Sequence, residues 1–400
     1  MSADPLALVG HVSVSPGSEL QAEWITDVAA FTALTRDWNT LVETIPSHSL
    51  FLRHEWFDAA WQWRCRDASL AVLCLRRQGR LVGVAPLIRS TRRRQRIAIR
   101  CLEFLTVPDT QFCDILAAPE ERVAVATAVA QALRGAPFRW DAIDLNRLPA
   151  DSFTNTALPS RLTAIGLPCY RYASEINLYI DLAQTWQTFY AQRSRRLKKA
   201  NNLVANRLQR AAKNVDIERT PNADQPATAL THAADTAIAL SAQSWKHDTG
   251  VSLDQPGPGN FLRRLVDRAQ GNNWLSIWLL RLDQSPVAME LQVAYNGQVH
   301  ALRSDFAESY KTLSPGAYLN WKLLESLFDR GLRRYWFGPG ANSYKLHWTD
   351  VGEPLYTVTI YGLSLRGRWL RFLETTLRPW MKTILGREKA TSPPMDAPPS

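Results

Sequence analysis

An α+β fold, made of two copies of one mixed helix-and-strand unit, is what the order of elements in this 400-residue chain predicts. Three observations carry that expectation. The chain is too long for one ordinary hydrophobic core. Its apolar share of 46% and charged share of 21% are those of a folded globular protein. The sequence helix, helix, several strands, helix, strand runs through it twice, without a residue-level repeat.

In the first half, "VAAFTALTRDWNTLVETI" has helical periodicity, as does "HEWFDAAWQWRC", with Trp56, Phe57, Ala60 and Trp61 on its apolar side. Strand-like runs follow at "LAVLCLRR", "RLVGVAPLIRS", "IRCLEFLTV" and "FCDILAA", the first two joined at Gln78-Gly79. "EERVAVATAVAQALRG" closes the unit as a helix and "FRWDAIDLNRL" as a strand. The second half opens with the helices "QTWQTFYAQRSRRLKKANNLVANRLQRAAKN", "ATALTHAADTAIALSAQSWKHD" and "GNFLRRLVDRAQG". Strands follow at "WLSIWLLRLD", "PVAMELQVAY" and "QVHALRSDF", then a helix from Ser314 and the strand "RRYWFG". The join falls near residues 175–185.

Composition excludes several classes. The five cysteines (Cys65, Cys74, Cys101, Cys113, Cys169) are odd in number and show no CxxC spacing, which argues against a disulfide framework or zinc site and fits a reducing cytoplasm. The first twenty residues lack the basic-then-apolar pattern of a signal peptide, and no window approaches a membrane span. The net charge of +10 gathers in residues 89–100, in residues 193–210 and near the C-terminus. The first run reads as a solvated turn between strands or as a binding patch. The second reads as a basic helix with Leu197, Leu203, Val204 and Leu208 on its apolar face. Phosphate-bearing ligands, nucleic acid or an anionic membrane surface are the partners such charge admits.

The stretch "YKTLSPGAYLNWKLLESLFDRGLRRYWFGPGANSYK" is the best-punctuated helix in the chain. Ser314 suits the N-cap, Pro315 the first helical position, and Gly331 the stop. Leu319, Leu323, Leu324, Leu327 and Phe328 form its apolar stripe. It is either a plain crossover helix or an anion site, since unpaired N–H groups at a helix start attract phosphate.

Asn296-Gly297 between two alternating runs predicts a type I′ hairpin. That register pairs Tyr295 with Gln298, Gln292 with Ala301, Glu290 with Arg303 and Ala288 with Asp305. Met289, Leu291, Val293, His300 and Leu302 then face the core, while Glu290, Gln292, Arg303 and Asp305 share the other face. That polar face is either solvated, with a Glu290–Arg303 ion pair, or the floor of a cleft with a carboxylate as general base. His247 and His347 are isolated, no metal spacing occurs, and GxSxG, P-loop and GxGxxG motifs are absent.

From Arg193 to Lys345 the chain resembles the GNAT-like acetyltransferase family named for cellulose-biosynthesis proteins (CelD/BcsL type), itself akin to Fem-type peptidyltransferases. The resemblance rests on "RSRRLKKANNLVANRLQR", "SAQSWK", "PVAMEL", "DFAESYKTLSPGAYL", "RGLRRYWFGPG" and "SYK", in that order, with looser likeness in "GVAPLIRS" and "QFCDILAAPEE". It implies tandem GNAT-like domains, mixed sheets flanked by helices, and acyl transfer from acetyl-CoA or another acyl-CoA to an amine or hydroxyl, without a metal. By the same resemblance Ser314, Gly316, Ala317, Tyr318 and Arg196 would hold the donor's phosphates. Lys345 would stabilise the oxyanion, Tyr344 or Tyr310 would protonate the leaving thiolate, and Glu290 or Asp305 would accept the nucleophile's proton. Family members commonly carry Phe-Asp-Phe before the GxG turn, where this chain has Tyr335, Trp336 and Phe337; the acid is replaced by Trp336.

The expected layout is a flexible start (1–20), GNAT-like domains at 21–178 and 179–365, a basic amphipathic helix at 366–388 and a disordered tail (389–400). The expected acceptor is an exopolysaccharide or cellulose precursor, or another small molecule or glycan. Localisation is expected to be cytoplasmic, with peripheral contact at the inner membrane face through 366–388. Two alternatives are a Fem-type aminoacyl-tRNA-dependent transferase and a non-catalytic scaffold in a glycan synthesis complex. The lack of a long helical hairpin between the halves argues against a nucleic-acid partner.

Overall fold

In a computed structural model, residues 20–377 are described, except 47, 95, 222–224 and 227. Residues 1–19 of the expected flexible start, the tail and residues 378–388 of the basic helix lie outside this range, and Leu20 opens β1. The first half runs β1 (Leu20–Ile25), α1 (Val28–Ala33), α2 (Thr35–Glu43), α3 (His54–Arg64), β2 (Ala68–Leu70), β3 (Val72–Arg77), β4 (Arg80–Ala85), β5 (Leu87–Arg94), β6 (Ile97–Phe104) and β7 (Leu116–Ala117). It continues with α4 (Arg122–Arg134), β8 (Ala142–Pro149), α5 (Phe153–Ala164) and β9 (Cys169–Asp181). The second half runs α6 (Trp186–Ala191), α7 (Arg195–Ala211), β10 (Val215–Thr220), α8 (Thr228–Ser241), α9 (Pro256–Ala269), β11 (Leu275–Leu282), β12 (Ser285–Tyr295) and β13 (Gln298–Phe306). After it come α10 (Pro315–Leu327), β14 (Arg334–Pro339), α11 (Ser343–Leu346), β15 (Gly352–Tyr361) and α12 (Leu365–Phe372).

Several expected elements are divided, each for a local reason. The helix over residues 28–45 breaks at Leu34, and the long basic helix splits where Ser194 caps α7 by accepting from the Leu197 N–H. The strand "RLVGVAPLIRS" breaks at Pro86, and its pieces enter different sheets. "FCDILAA" is mostly loop, with only Leu116 and Ala117 in a strand. Residues 89–100 are not a solvated turn: most lie on β5 and β6, which pair along their whole length. β1, β9, β10, β15, α5 and α11 are additional to the expected elements.

The halves share one sheet. Its order is β10-β11-β12-β13-β14-β9-β15-β8-β6-β5-β2, and a smaller sheet holds β1-β3-β4-β7. β9 leaves the first half and pairs with β14, while β15 returns from the second half to lie between β9 and β8. The position taken as the domain join therefore lies inside a continuous strand. Each half contains one parallel pair, β6 with β8 and β13 with β14, each with a helix in the crossover. The hydrophobic core is shared as well. Trp56, Phe57 and Phe51 of the first half pack in one cluster with Phe261, Leu265, Met289 and Val293 of the second. Arg264 and Arg268 of α9 meet the buried Asp58 of α3 at 2.8 and 2.6 Å.

The hairpin of β12 and β13 turns as expected, with positive φ at Asn296 (48°) and Gly297 (72°). Its register does not persist. A bulge after Gln292↔Ala301 places Leu291 opposite Arg303, Glu290 opposite Ser304 and Met289 opposite Asp305. One extra residue reverses the face of everything beyond it. Arg303 and Asp305 therefore turn away from Glu290 and Gln292, and the expected Glu290–Arg303 pair does not form. Arg303 instead meets Asp109 at 3.3 Å, and Asp305 pairs with Lys246 and Ser241.

Candidate functional site

Parallel β13 and β14 pair only at Gln298↔Arg334, Val299↔Tyr335 and His300↔Trp336. Beyond that point they diverge, and the α10 start, α11 and a loop from the first half converge on the opening. The sequence dictates the divergence twice. The bulge bends β13, and Gly338 (φ 83°) and Gly340 (φ 92°) turn the end of β14 through conformations that favour glycine.

Beneath α10 lies a polar cluster centred on Glu290, which is 1% exposed. Its Oε1 accepts from Tyr335 Oη and Gln292 Nε2, both at 2.7 Å, and its Oε2 accepts from Ser304 Oγ at 2.9 Å. Trp278 Nε1 donates to Gln292 Oε1 at 2.8 Å and locks that amide's orientation. Asn320 of α10 reaches the Tyr335 hydroxyl at 3.5 Å. Burial pushes the Glu290 carboxyl above its ordinary value, and the donated hydrogen bonds only partly offset this. Tyr344 of α11 is 48% exposed, but the protein packed around its ring and then the Glu290 carboxylate push its phenol up. Ser304 is exposed, so one partner of the buried acid opens to solvent. A carboxyl of raised affinity, wired through a hydroxyl to an open cleft, can accept and return a proton.

On the other side of the opening, Gln111 enters from the first half and fills the gap between the strands. Its Nε2 donates to the Ala301 carbonyl at 2.8 Å, and its Oε1 accepts from Asn177 Nδ2 at 3.3 Å and bonds His300 Nδ1 at 3.0 Å. A Cβ on Gly338 would stand 3.4 Å from Gln111 Nε2. Burial pushes His300 down to about 3, so its ring is neutral, and the ring stacks on Trp336 with 7° between planes. Lys345 is 3% exposed, and its ammonium donates to the carbonyls of Gly338 and Pro339 at 2.7 and 3.0 Å. Burial lowers it to about 8, with Glu175 opposing and Arg147 adding to the shift. A cavity of about 590 Å³ lies between the halves beside this region, lined by Phe112, His300, Arg334, Trp336 and Glu353, among others.

The fold brings Glu290 and Tyr344 together and sets Lys345 at the end of the diverging strand β14. It does not bring Asp305 to them, because the bulge turns that carboxylate to the opposite face. Tyr310 packs half-buried between the two hydrophobic clusters. Ser314 does not cap α10 with its side chain. It takes a left-handed conformation (φ 55°), and its carbonyl accepts from Ala317 N–H. Gly316 and Tyr318 are half-buried at the helix start, Ala317 is exposed, and Arg196 lies on the exposed face of α7, which packs against α10. Gln111, Asn177, Ser304, Tyr335 and Asn320 are additions to the expected set. Gln111 stands in "QFCDILAAPEE", but nothing local marks it as a wedge.

Residues 190–346 match the family of the acetyltransferase (GNAT) domain. The chain is similar in structure to the C-terminal domain of a protein assigned as a lysylphosphatidylglycerol synthetase from Agrobacterium fabrum. That similarity has 12% identity and a TM-score of 0.52, over 85% of this chain and 95% of that one. It is similar also to FemX, at 11% identity and a TM-score of 0.51, over 85% of this chain and 98% of that one. At such identities the likeness is one of fold. No curated protein sequence matches the chain. The fold is thus the GNAT fold, α+β with mixed sheets and flanking helices, and the second half carries a GNAT acyltransferase domain, which implies an acyl-CoA co-substrate.

Proposed function

We propose that this chain moves an acyl group, acetyl first among the candidates, from acyl-CoA to an amine or hydroxyl of a small or glycan acceptor. The observation that carries the reading is the separation of β13 from β14 beside the start of α10. Gln111 takes the Ala301 carbonyl and Lys345 those of Gly338 and Pro339, so an amide-bearing chain such as pantetheine would bond backbone groups farther along the diverging strands. The first turn of α10 at Gly316 suits the donor's phosphates, and Arg196, on the exposed face of the helix α7 that packs against α10, would add positive charge. Glu290 would accept the nucleophile's proton through Ser304 or water, and Tyr344 would protonate the leaving thiolate. Lys345, tied to two carbonyls, would hold the end of β14 against the reacting carbonyl. Acceptors would enter through the cavity between the halves, where Phe112 and Trp336 suit a sugar ring. The resemblance to cellulose-biosynthesis acetyltransferases supports a polysaccharide precursor.

Calorimetric titration with acetyl-CoA tests this, on the wild type and on Gly316→Asp. A Cβ at Gly316 meets only Phe306 Cδ1 at 3.5 Å, an ordinary contact, so the variant keeps its fold while placing a carboxylate at the helix start. Binding by the wild type that the variant loses is the expected result. No binding by either protein refutes the acyl-CoA reading. Salt-sensitive RNA binding would then favour an aminoacyl-tRNA donor.

A further inference from the structure

Two cationic runs that lie far apart in the sequence meet in the fold. α12 packs on the β5–β6 hairpin: Leu370 is buried with Ile99, Ala142 and Tyr361, and Gly367 is pressed against the Asp141 carbonyl. Arg94 of the hairpin meets Glu374, just past α12, at 2.6 Å. Ser364, the N-cap of α12, shares Asp141 with Arg100. These contacts fix which way α12 faces.

The outward face is the wrong way round for a soluble helix. Leu365, Trp369 and Phe372, at i, i+4 and i+7, are 85%, 51% and 45% exposed, and the two rings stack on each other at 5.6 Å. Arg366 flanks this stripe on one side and Arg368 and Arg371 on the other, all exposed. The tip of the hairpin adds exposed Arg96. None of these four cations pairs with a carboxylate among the described residues, and Glu374, the acid nearest to the stripe in sequence, is held by Arg94 and Tyr361. The sequence beyond the described residues continues in the same composition, with Arg378, Trp380, Lys382, Ile384 and Arg387.

We propose that α12 and the β5–β6 hairpin form a docking face for an anionic lipid bilayer, with Leu365, Trp369 and Phe372 entering the interface and the arginines meeting the headgroups. Charge complementarity selects this occupant. An apolar stripe between arginines matches the boundary between acyl chains and anionic headgroups, where tryptophan and phenylalanine also partition. A second copy of this chain would present the same cations and repel them.

The test is flotation of the purified full chain with phosphatidylcholine vesicles, with and without phosphatidylglycerol. The wild type is expected to float with the anionic vesicles, to stay unbound with pure phosphatidylcholine, and to be released at about 0.5 M salt. Trp369→Glu/Phe372→Glu should lower binding at least about tenfold with an unchanged thermal transition, since both side chains are exposed. A wild type that fails to float, or that binds both vesicles equally, overturns the proposal. So does a double variant that still floats, including the case where only Trp380→Glu/Ile384→Glu abolishes binding. Sedimentation showing a wild-type dimer and a monomeric Trp369→Glu/Phe372→Glu variant would assign the stripe to a second copy instead.

Discussion

Replacing Gln111 by leucine removes a side chain of the first half that wedges between the diverging strands of the second, while keeping most of its volume. The residue is 1% exposed and makes three hydrogen bonds, to the Ala301 carbonyl, to Asn177 and to His300. None of the stripped partners can turn to water without opening the core: Asn177 is 0% and His300 2% exposed. A buried group deprived of its partner costs ~1–3 kcal/mol. Rotation or a change of tautomer at His300 relieves one of the three, so Gln111→Leu should destabilise the protein by ~2–6 kcal/mol. At ~2–4 °C per kcal/mol for a large domain, the midpoint of thermal unfolding should fall by at least ~4 °C. Gln111→Glu separates hydrogen bonding from packing. It puts a carboxylate oxygen against the Ala301 carbonyl, an acceptor facing an acceptor, and only its protonated form can donate there. Burial raises the introduced carboxyl, so this variant should regain stability as pH falls through that raised pKa, where the wild type gains nothing from this position. Scanning calorimetry of the three proteins against pH reads both effects. A Gln111→Leu midpoint within ~1 °C of the wild type would mean that the wedge does not hold the strands.

Two further variants test the site's chemistry. Glu290→Gln keeps the shape but removes the proton acceptor, so turnover should fall on the order of a hundredfold or more while acetyl-CoA affinity is nearly kept; unchanged turnover removes Glu290 from the reaction. Lys345 is lowered from an ordinary 10.5 to about 8, so the folded state binds fewer protons than the unfolded one between those values. The stability of the wild type relative to Lys345→Met should therefore rise with pH across that window and be flat below it, and a difference flat throughout denaturant titrations would show that Lys345 titrates normally.

What was legible in the sequence was what neighbouring residues decide. The α10 helix announces itself through Pro315, its leucine stripe and Gly331, and the β12–β13 turn through Asn296 and Gly297, because caps and turns are short-range. Ser314 shows the limit of that reasoning. Its position at the helix start was right, but it enters α10 left-handed after a 3-10 turn, so its side chain does not close the first turn. The strands left unassigned lie between or beside distant partners. β15 pairs with β8 and β9, and β9 with β14 and β15, so their stability comes from segments far away in sequence. Polar residues such as Arg171 and Glu175 then sit in a strand without an alternating pattern to reveal it.

The bulge after Gln292 decides the chemistry of the site, and it is invisible to a reading based on period. With an unbroken register, Glu290 would lie across from Arg303, and an ion pair would hold the carboxyl at low affinity for protons. With the extra residue, Arg303 swings to Asp109 on the opposite face, and Glu290 is left with neutral partners only: Gln292, Ser304 and Tyr335. Burial among neutral donors raises a carboxyl, whereas an arginine beside it would lower it. The same displaced residue thus separates β13 from β14 and removes the cation from the acid. One irregularity in β13 thus frees the carboxyl to exchange protons and opens one side of the cleft, while Gly338 and Gly340 open the other from β14.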